Sequence, residues 1–294
     1  MMLSPDFQFS QGSLQDYGDC PRRFQLRYLL RLAWPALEAE PALENERHLQ
    51  QGAAFHRMVH QHGLGIPAER LSGTVTDDDL LRWWHNYLAQ PPADLPASRY
   101  CEIVLSAPMK GHPRGGDDPR GYRLVAKYDL VAVDPGRRAV IVDWKTSRRR
   151  PQRRWLVERL QTKVYAYLLV RAGSDLNGGE AVQPEGVEMV YWFANFPNAP
   201  ERLPYNAAQY RADEVYLASL IQKIEDDVQQ LGDEDFPLTA EARRCNYCPY
   251  RSLCQRGVGA GALAGFEDGQ EPRDEADSDF DFDLDFEQIA EVAY

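Results

Sequence analysis

Two apolar segments joined by a single turn constrain the fold of this chain more than any other feature. Residues 122–134 and 138–146 are rich in Val, Ile and Tyr, and Pro135-Gly136 separates them. Such residues favour strands and a Pro-Gly pair favours a turn, so we predict an antiparallel hairpin. The second strand ends at Asp143 and Lys145, which project together because alternate residues of a strand share a face.

The hairpin brings a second acid towards this pair. Asp129 lies six residues before Pro135, and Asp143 lies seven residues after Gly136, so the two acids are predicted neighbours. An isolated pair of Asp143 and Lys145 is usually an ordinary salt bridge. Two neighbouring carboxylates repel each other unless a divalent cation lies between them, and Mg²⁺ or Mn²⁺ suits such oxygen ligands.

Further helices and strands are predicted on both sides of the hairpin. The order of helices, then strands, then helices with one more strand predicts an α/β fold. The predicted helices are 12–32 with a break at Cys20-Pro21, 43–63, 77–89, 151–172 and 207–231, and the other predicted strands are 99–109 and 186–196.

Length and composition are those of a globular protein. The chain has 294 residues, of which 44% are hydrophobic, enough for one large α/β domain with additions or for two modest domains. We find no apolar run of the roughly 18 residues that a membrane helix needs. The first residues lack the pattern of a signal peptide, so we expect a cytoplasmic protein.

The negative charge is concentrated at one end of the chain. The net charge is -12, and residues 267–294 contain twelve acids and one arginine, so the rest carries only -1. Five arginines follow the second hairpin strand, and they either attract phosphate groups or lie in a solvated loop. They are Arg148, Arg149, Arg150, Arg153 and Arg154.

We predict that residues 266–294 form a separate, disordered acidic tail, after a folded domain that covers residues 1–265. The tail has three interpretations. It is a solubilising segment, a DNA mimic that competes for a basic groove, or a segment that binds a protein partner through alternating apolar residues. Those residues are Phe280, Phe282, Leu284 and Phe286.

Cysteine spacing indicates a metal centre rather than disulfides. Cys245, Cys248 and Cys254 form a C-x2-C-x5-C pattern, whose tight loop can gather thiolates around one metal centre. Three ligands leave a tetrahedral site open. The odd total of five cysteines and the absence of an export signal disfavour structural disulfides. Cys101 lies in an apolar strand and is predicted to be an inert buried thiol.

Two helical segments carry further polar candidates. Gln161 and Tyr165 lie four residues apart and therefore share one helix face. His56 follows Gly52 by four residues on an otherwise apolar helix. Taken alone, each has an ordinary interpretation, because such Gln, Tyr and His residues usually belong to the surface or the core.

In combination these residues resemble the PD-(D/E)XK nuclease superfamily, in its RecB-like branch with an iron-sulfur cluster. That branch includes the AddB nuclease domain and the CRISPR adaptation nucleases. The matching motifs occur in the order of the family and span residues 10–255. They are "SLQDYGDCPRRFQLRYLL", Gly52-x3-His56, Asp129, Asp143-Trp144-Lys145, Gln161-x3-Tyr165 and the three late cysteines.

The resemblance implies a restriction-endonuclease-like core, a central mixed β-sheet flanked by helices. It implies that His56, Asp129, Asp143 and the backbone carbonyl of Trp144 bind Mg²⁺ or Mn²⁺, with Lys145 acting beside the metal. Gln161 and Tyr165 would contact DNA or position Lys145. Cys20 would join Cys245, Cys248 and Cys254 around a [4Fe-4S] cluster, for which structural Zn²⁺ is the alternative.

The implied function is a metal-dependent DNA exonuclease that acts on single-stranded or unwound ends, with a helicase, a repair protein or a CRISPR adaptation protein as partner. The alternative is a catalytically silent DNA-binding scaffold with a four-cysteine metal site. Two departures leave the substrate preference open. Ala126 and Lys127 stand in a segment where the family commonly has a glycine, and residues 110–121 form an extra loop.

Overall fold

The computed structural model describes residues 3–4, 7–32, 42–73, 75–109 and 122–257. The predicted loop 110–121 and the predicted tail lie outside these ranges. None of the described helices has the length and apolar character needed to cross a membrane. The helices are α1 Gln11–Asp19, α2 Pro21–Phe24, α3 Ala42–Gly63, α4 Ala68–Ser72, α5 Asp78–Ala89, α6 Arg153–Glu158, α7 Leu160–Ala172 and α8 Ala207–Leu231, and the strands are β1 Gln8–Ser10, β2 Ser98–Pro108, β3 Arg123–Asp134, β4 Arg138–Lys145, β5 Val187–Phe193 and β6 Glu201–Pro204.

The chain divides into two compact units. The first contains Met1–Glu46, Pro108–Leu124 and Glu214–Tyr294, and the second contains Arg47–Ala107 and Val125–Asp213. The sheet of the second unit has the order β3-β4-β5-β6, with β2 paired to β3. β3 and β6 run antiparallel to their neighbours, whereas β4 and β5 are parallel. This mixed sheet with flanking helices confirms the predicted fold class.

The turn between β3 and β4 lies at Pro135-Gly136, as predicted. Gly136 has a φ of 72°, a conformation that side chains other than glycine rarely adopt, and Arg137 N donates to Asp134 O at 3.0 Å. Asn177 Oδ1 accepts from Gly136 N at 2.9 Å. Proline preceding glycine therefore closes the hairpin in a defined register, which decides which residues of β3 and β4 face one another.

Aromatic residues dominate the core of the second unit. Phe55 of α3 stacks on Trp192 of β5, with ring centroids 6.0 Å apart, and Trp144 of β4 meets Trp192 edge to face at 5.6 Å. Trp83 and Trp84 of α5 are buried in the same cluster. Because these rings bury large apolar areas, α3 and α5 are held firmly against the sheet.

The first unit joins the two ends of the chain. α1 begins at a capping box, in which Ser10 Oγ accepts from Ser13 N at 3.1 Å. Tyr250 OH donates to Leu32 O at 3.0 Å, and Arg22 N donates to Pro237 O at 3.2 Å. These bonds hold the first helices beside the segment that carries the late cysteines.

Four elements differ from the sequence prediction. The predicted helix 151–172 is two helices, because Arg159 adopts an extended conformation with a ψ of 139° between α6 and α7. The hydroxyl of Thr162 donates to the carbonyl of Leu156 and satisfies an acceptor that a continuous helix would have bonded. The prediction also missed β1, α4 and β6, which have only three, five and four residues.

Candidate active site

Two acidic residues lie side by side on neighbouring strands of the second unit. The register pairs Leu130 of β3 with Val142 of β4, and the next residue of each strand towards this end is Asp129 and Asp143 respectively. Asp129 Oδ2 accepts from the backbone N–H of Trp144 at 2.9 Å. The hairpin therefore brings the two predicted carboxylates together at the end of β4, as their distances from the turn predict.

Helix α3 supplies a histidine to Asp129. His56 Nδ1 lies 3.2 Å from Asp129 Oδ1, and both side chains are largely buried. Gly52, one turn earlier, allows this approach, because a Cβ built there would lie only 3.1 Å from Thr146 Oγ1 at the end of β4. The glycine and histidine of the Gly52-x3-His56 motif thus contact the same end of the sheet.

The electrostatic environment favours the ionised form of Asp129. Burial raises the pKa of Asp129, whereas the charge and hydrogen bond of His56 lower it. The backbone N–H of Trp144 and the charge of Lys145 act in the same direction as His56. The pKa of Asp129 therefore lies below the ordinary carboxyl value of 3.8.

A second group is centred on Asp143. Lys145 Nζ lies 3.0 Å from Asp143 Oδ2, as expected for two residues on one strand face. From α7, Gln161 Nε2 donates to Asp143 Oδ1 at 2.7 Å, and all three side chains are largely buried. Asp143 is thus held between an ammonium group of its own strand and an amide of the following helix.

The sequence did not indicate Tyr191 as part of this environment. It pairs with Asp143 in the parallel register of β4 and β5, and the Lys145 ammonium lies 5.8 Å from its ring centroid. Burial raises the pKa of Tyr191 above its ordinary value, and the charge of Asp143 raises it further. The neutral phenol lies 2.7 Å from Thr162 Oγ1, which connects β5 to the start of α7. Only the parallel pairing of the strands, which the sequence did not reveal, could have identified this residue.

The remaining predicted residue of the motif, Tyr165, has a different environment. Its ring lies against the ring of Tyr128, with centroids 4.8 Å apart, and only 4% of the residue is exposed. Its backbone carbonyl accepts from Tyr128 OH at 2.9 Å. Tyr165 therefore packs α7 onto β3, one helical turn beyond Gln161.

The five arginines that follow β4 differ in their contacts, although all five are exposed. Arg150 and Arg153 both pair with Glu201 of β6, Arg153 at 2.8 Å. The guanidinium carbon of Arg154 lies 5.6 Å from the ring centroid of Trp155. One carboxylate thus compensates part of the charge of this segment, and the missed strand β6 provides it.

The cysteines of the first unit form a mutually interacting group. Cys20 lies between α1 and α2, and Cys248 and Cys254 pack with Leu26 and Tyr250 in a small apolar cluster. Burial raises the pKa of Cys248 to about 11, and the charges of Cys20 and Cys254 raise it as well. Burial likewise raises the pKa of Cys245, to which Cys20 also contributes. Cys20 is therefore close enough to the three late cysteines to raise the pKa of each.

The side chains around Asp129 and Asp143, and the four cysteines of the first unit, are chemically suited to bind metals. Among the described residues, however, no three His, Cys, Asp or Glu side chains are already arranged to hold an ion. Beside Asp129 and Asp143, two carboxylates and one imidazole match a hard divalent cation. Gln161 Oε1 is buried and has no hydrogen-bond partner among the described residues. Four thiols match either an iron-sulfur cluster or zinc.

Replacing Asp129 with asparagine should destabilise the second unit at neutral pH by about 1–3 kcal/mol, because His56 loses its anionic partner. An acid with a lowered pKa stabilises the fold above its ordinary value of 3.8, and this contribution is lost as the pH falls through the lower, folded-state value. Urea unfolding at a series of pH values should therefore show a steeper acid loss in the wild type than in Asp129→Asn. Parallel curves would contradict the lowered pKa.

A mixed sheet with paired acids and a lysine at adjoining strand ends defines the class of restriction-endonuclease-like folds. The sequence profile of the PD-(D/E)XK nuclease superfamily matches residues 8–255. The match covers most of the chain, and the chain belongs to this superfamily. Its members generally use divalent metals such as Mg²⁺ or Mn²⁺.

Solved structures resemble the chain at low sequence identity. The crystal structure of the protein SSO0001 is 12% identical, covers 85% of this chain and 87% of its own, and has a TM-score of 0.37. A candidate exonuclease from Eubacterium rectale is 10% identical, covers 73% of this chain and 79% of its own, and has a TM-score of 0.43. No curated protein sequence is significantly similar to the chain.

Proposed function

We propose that this chain is a deoxyribonuclease that depends on Mg²⁺ or Mn²⁺ and hydrolyses phosphodiester bonds at single-stranded or unwound DNA ends. The observation that carries the proposal is the convergence of His56, Asp129, Asp143 and Lys145 within one unit. The 3.2 Å contact joins His56 to Asp129, 73 positions later in the sequence, and the 3.0 Å contact joins Asp143 to Lys145. The N–H of Trp144, which donates to Asp129 Oδ2 at 2.9 Å, connects the two pairs. An ordinary salt bridge between Asp143 and Lys145 would not require the other two residues.

Each side chain has a separate role in the proposed reaction. Asp129, Asp143 and His56, with the Trp144 carbonyl, would hold the divalent cation, which when bound lowers the pKa of water and offsets phosphate charge. Lys145 orients the attacking water through its ammonium group and stabilises the negative charge that develops on the phosphate, while the proton of the water leaves to solvent. Gln161 holds Asp143 and thereby fixes the carboxylate beside Lys145.

DNA contacts are assigned to the exposed side chains that follow β4. Arg148, Arg149 and Arg154 donate to phosphate oxygens without reading the base sequence. Arg150 and Arg153 contribute less charge, since Glu201 pairs with both. Because such binding displaces counterions, DNA affinity should fall as the salt concentration rises.

We assign the cysteine group of the first unit to a [4Fe-4S] cluster, which would place the chain in the RecB-like branch of the superfamily. Cys20 raises the pKa of Cys245, Cys248 and Cys254, which supports a shared centre. Structural zinc is the alternative with the same ligands. A helicase, a repair protein or a CRISPR adaptation protein is the proposed partner, with the acidic tail as one candidate contact.

The direct test is a cleavage assay on end-labelled single- and double-stranded DNA. The wild type should release short products with Mg²⁺ or Mn²⁺, and a chelator should abolish their release. Single-stranded DNA should be cut faster than blunt duplex, and circular single-stranded DNA should survive if an end is required. A wild type that binds DNA and cuts none of these substrates with either metal would favour the silent scaffold instead.

A further inference from the structure

A polar cavity lies beside the candidate active site within the second unit. Its volume is about 270 Å³. Side chains from α3, from α5 and from the segments that follow β4 and β5 form its walls. They are His48, Asp79, Arg82, Trp83, Arg148 and Asn195. β4 and β5 are parallel, so the cavity lies at the carboxyl ends of adjacent parallel strands, a common position for ligands in α/β sheets.

Helix α3 connects the cavity to the candidate active site. His48, Gly52 and His56 lie four residues apart in succession and therefore share one face of the helix. His48 lines the cavity, Gly52 approaches Thr146, and His56 contacts Asp129. Eight helical residues span about 12 Å, so His48 and His56 are separated by the length of a few nucleotides of a DNA strand.

The side-chain amide of Asn195 forms hydrogen bonds with both sides of the cavity. Asn195 Oδ1 accepts from Trp83 Nε1 at 2.9 Å and from Arg82 at 3.2 Å. Its Nδ2 donates to the carbonyls of Thr146 at 3.2 Å and Ser147 at 2.9 Å. Asn195 therefore positions the Arg82 side chain and the backbone that leads from Lys145 to Arg148.

The lining has the chemistry of an anion site. Two guanidinium groups and an imidazole face one carboxylate, Asp79, which lies 2.7 Å from Arg82. Guanidinium groups donate two parallel hydrogen bonds to phosphate. The volume lies just below the roughly 300 Å³ at which small-molecule pockets begin, so the cavity suits one phosphate with its sugar rather than a duplex.

We propose that this cavity binds one phosphate of the DNA strand, a few nucleotides from the bond that is cut, through Arg82 and Arg148. The proposal rests on the proposed nuclease function and specifies where the substrate strand lies. The phosphate is either an internal phosphodiester or the terminal phosphate of the strand, since both offer the same oxygens. Asn195 is a positioning residue, because it holds the groups that bind.

The test measures DNA binding without divalent cations, so its outcome does not depend on cleavage. Fluorescence anisotropy would use a short single-stranded oligonucleotide with a 5′-phosphate, a 3′-phosphate or two hydroxyl ends. Arg82→Gln and Arg148→Gln should each lower the affinity about tenfold and reduce the slope of log affinity against log salt by about one. The control is Arg137→Gln, since Arg137 is 81% exposed at the opposite end of β4 and should leave both values unchanged.

The pattern among the oligonucleotides identifies the bound phosphate. Losses confined to one phosphorylated end would assign the cavity to that terminal phosphate, whereas equal losses on all three would assign it to an internal phosphodiester. The double variant should lose less than the two single losses combined, because both arginines contact one phosphate. The proposal would be overturned if both single variants bound DNA with unchanged affinity, or if the affinity loss of the double variant equalled the two single losses combined. Either result would hold even if the wild type cuts DNA. A wild type that never cuts DNA but shows the expected losses would refute only the nuclease function.

Discussion

Replacing Lys145 with methionine should lower the rate of DNA cleavage by about 10²- to 10³-fold and should change DNA affinity little. Methionine keeps an unbranched apolar side chain of similar length but removes the ammonium group. Lys145 is mostly buried, 3.0 Å from Asp143, so no exposed residue can readily take its place. Single-turnover kinetics with saturating protein and Mg²⁺ would measure the cleavage step separately from binding.

The matched control for this variant is Lys223→Met. Lys223 is an exposed lysine on α8 in the first unit, and its replacement removes the same charge without altering the candidate active site. It should cleave at the rate of the wild type. If Lys145→Met also cleaved at that rate while its thermal unfolding remained normal, the catalytic role of Lys145 would be excluded.

Strand geometry explains why the centre of the candidate site was predictable from the sequence. Alternation placed Asp143 and Lys145 on one face, and the distances from Pro135-Gly136 placed Asp129 beside Asp143. Both predictions concern short-range geometry, in which β-pairing leaves few choices. The contact between His56 and Asp129 is different, because it depends on how α3 packs against the sheet. A family motif, rather than helical periodicity, indicated it.

The features that the sequence analysis missed depend on contacts between distant segments. Nothing around Arg159 departs from a helical pattern, yet the chain is extended there, and the hydroxyl of Thr162 bonds with Leu156 and Tyr191. A periodicity argument treats the segment as one helix, since it cannot include these tertiary bonds. The break matters for the site, because Gln161 belongs to the first turn of α7 and reaches Asp143 from there.

The net charge of the arginine segment also depends on contacts with a distant segment and could not be predicted from the sequence. The sequence presents five cations, but β6 brings Glu201 to two of them. A strand of four residues gives too weak a pattern to predict, so its pairing with β5 and the resulting ion pairs were not foreseen. Counting arginines therefore overestimates the positive charge available to DNA, for Arg150 and Arg153 paired with Glu201 as for Arg82 paired with Asp79.

Replacing Cys248 with serine should remove the metal centre of the first unit and lower the midpoint of thermal unfolding by about 10 °C. Cys248 is buried against Leu26 and Tyr250, and without a metal its raised pKa of about 11 keeps the thiol protonated at neutral pH. A metal must therefore supply free energy to ionise the thiol, and the loss of a structural metal site costs several kcal/mol. Visible absorbance, iron and zinc analysis and calorimetry on protein purified without oxygen would measure the effect.

Cys101 provides the control, because it is the one cysteine outside this group and lies on β2. Burial raises the pKa of its thiol as well, so Cys101→Ser tests another cysteine with a raised pKa but without a metal role. That variant should keep the brown colour and the iron content of the wild type. A colourless wild type with one zinc ion would support the zinc alternative, since iron-sulfur clusters absorb visible light and zinc does not. A wild type without either metal would contradict both assignments of the four cysteines.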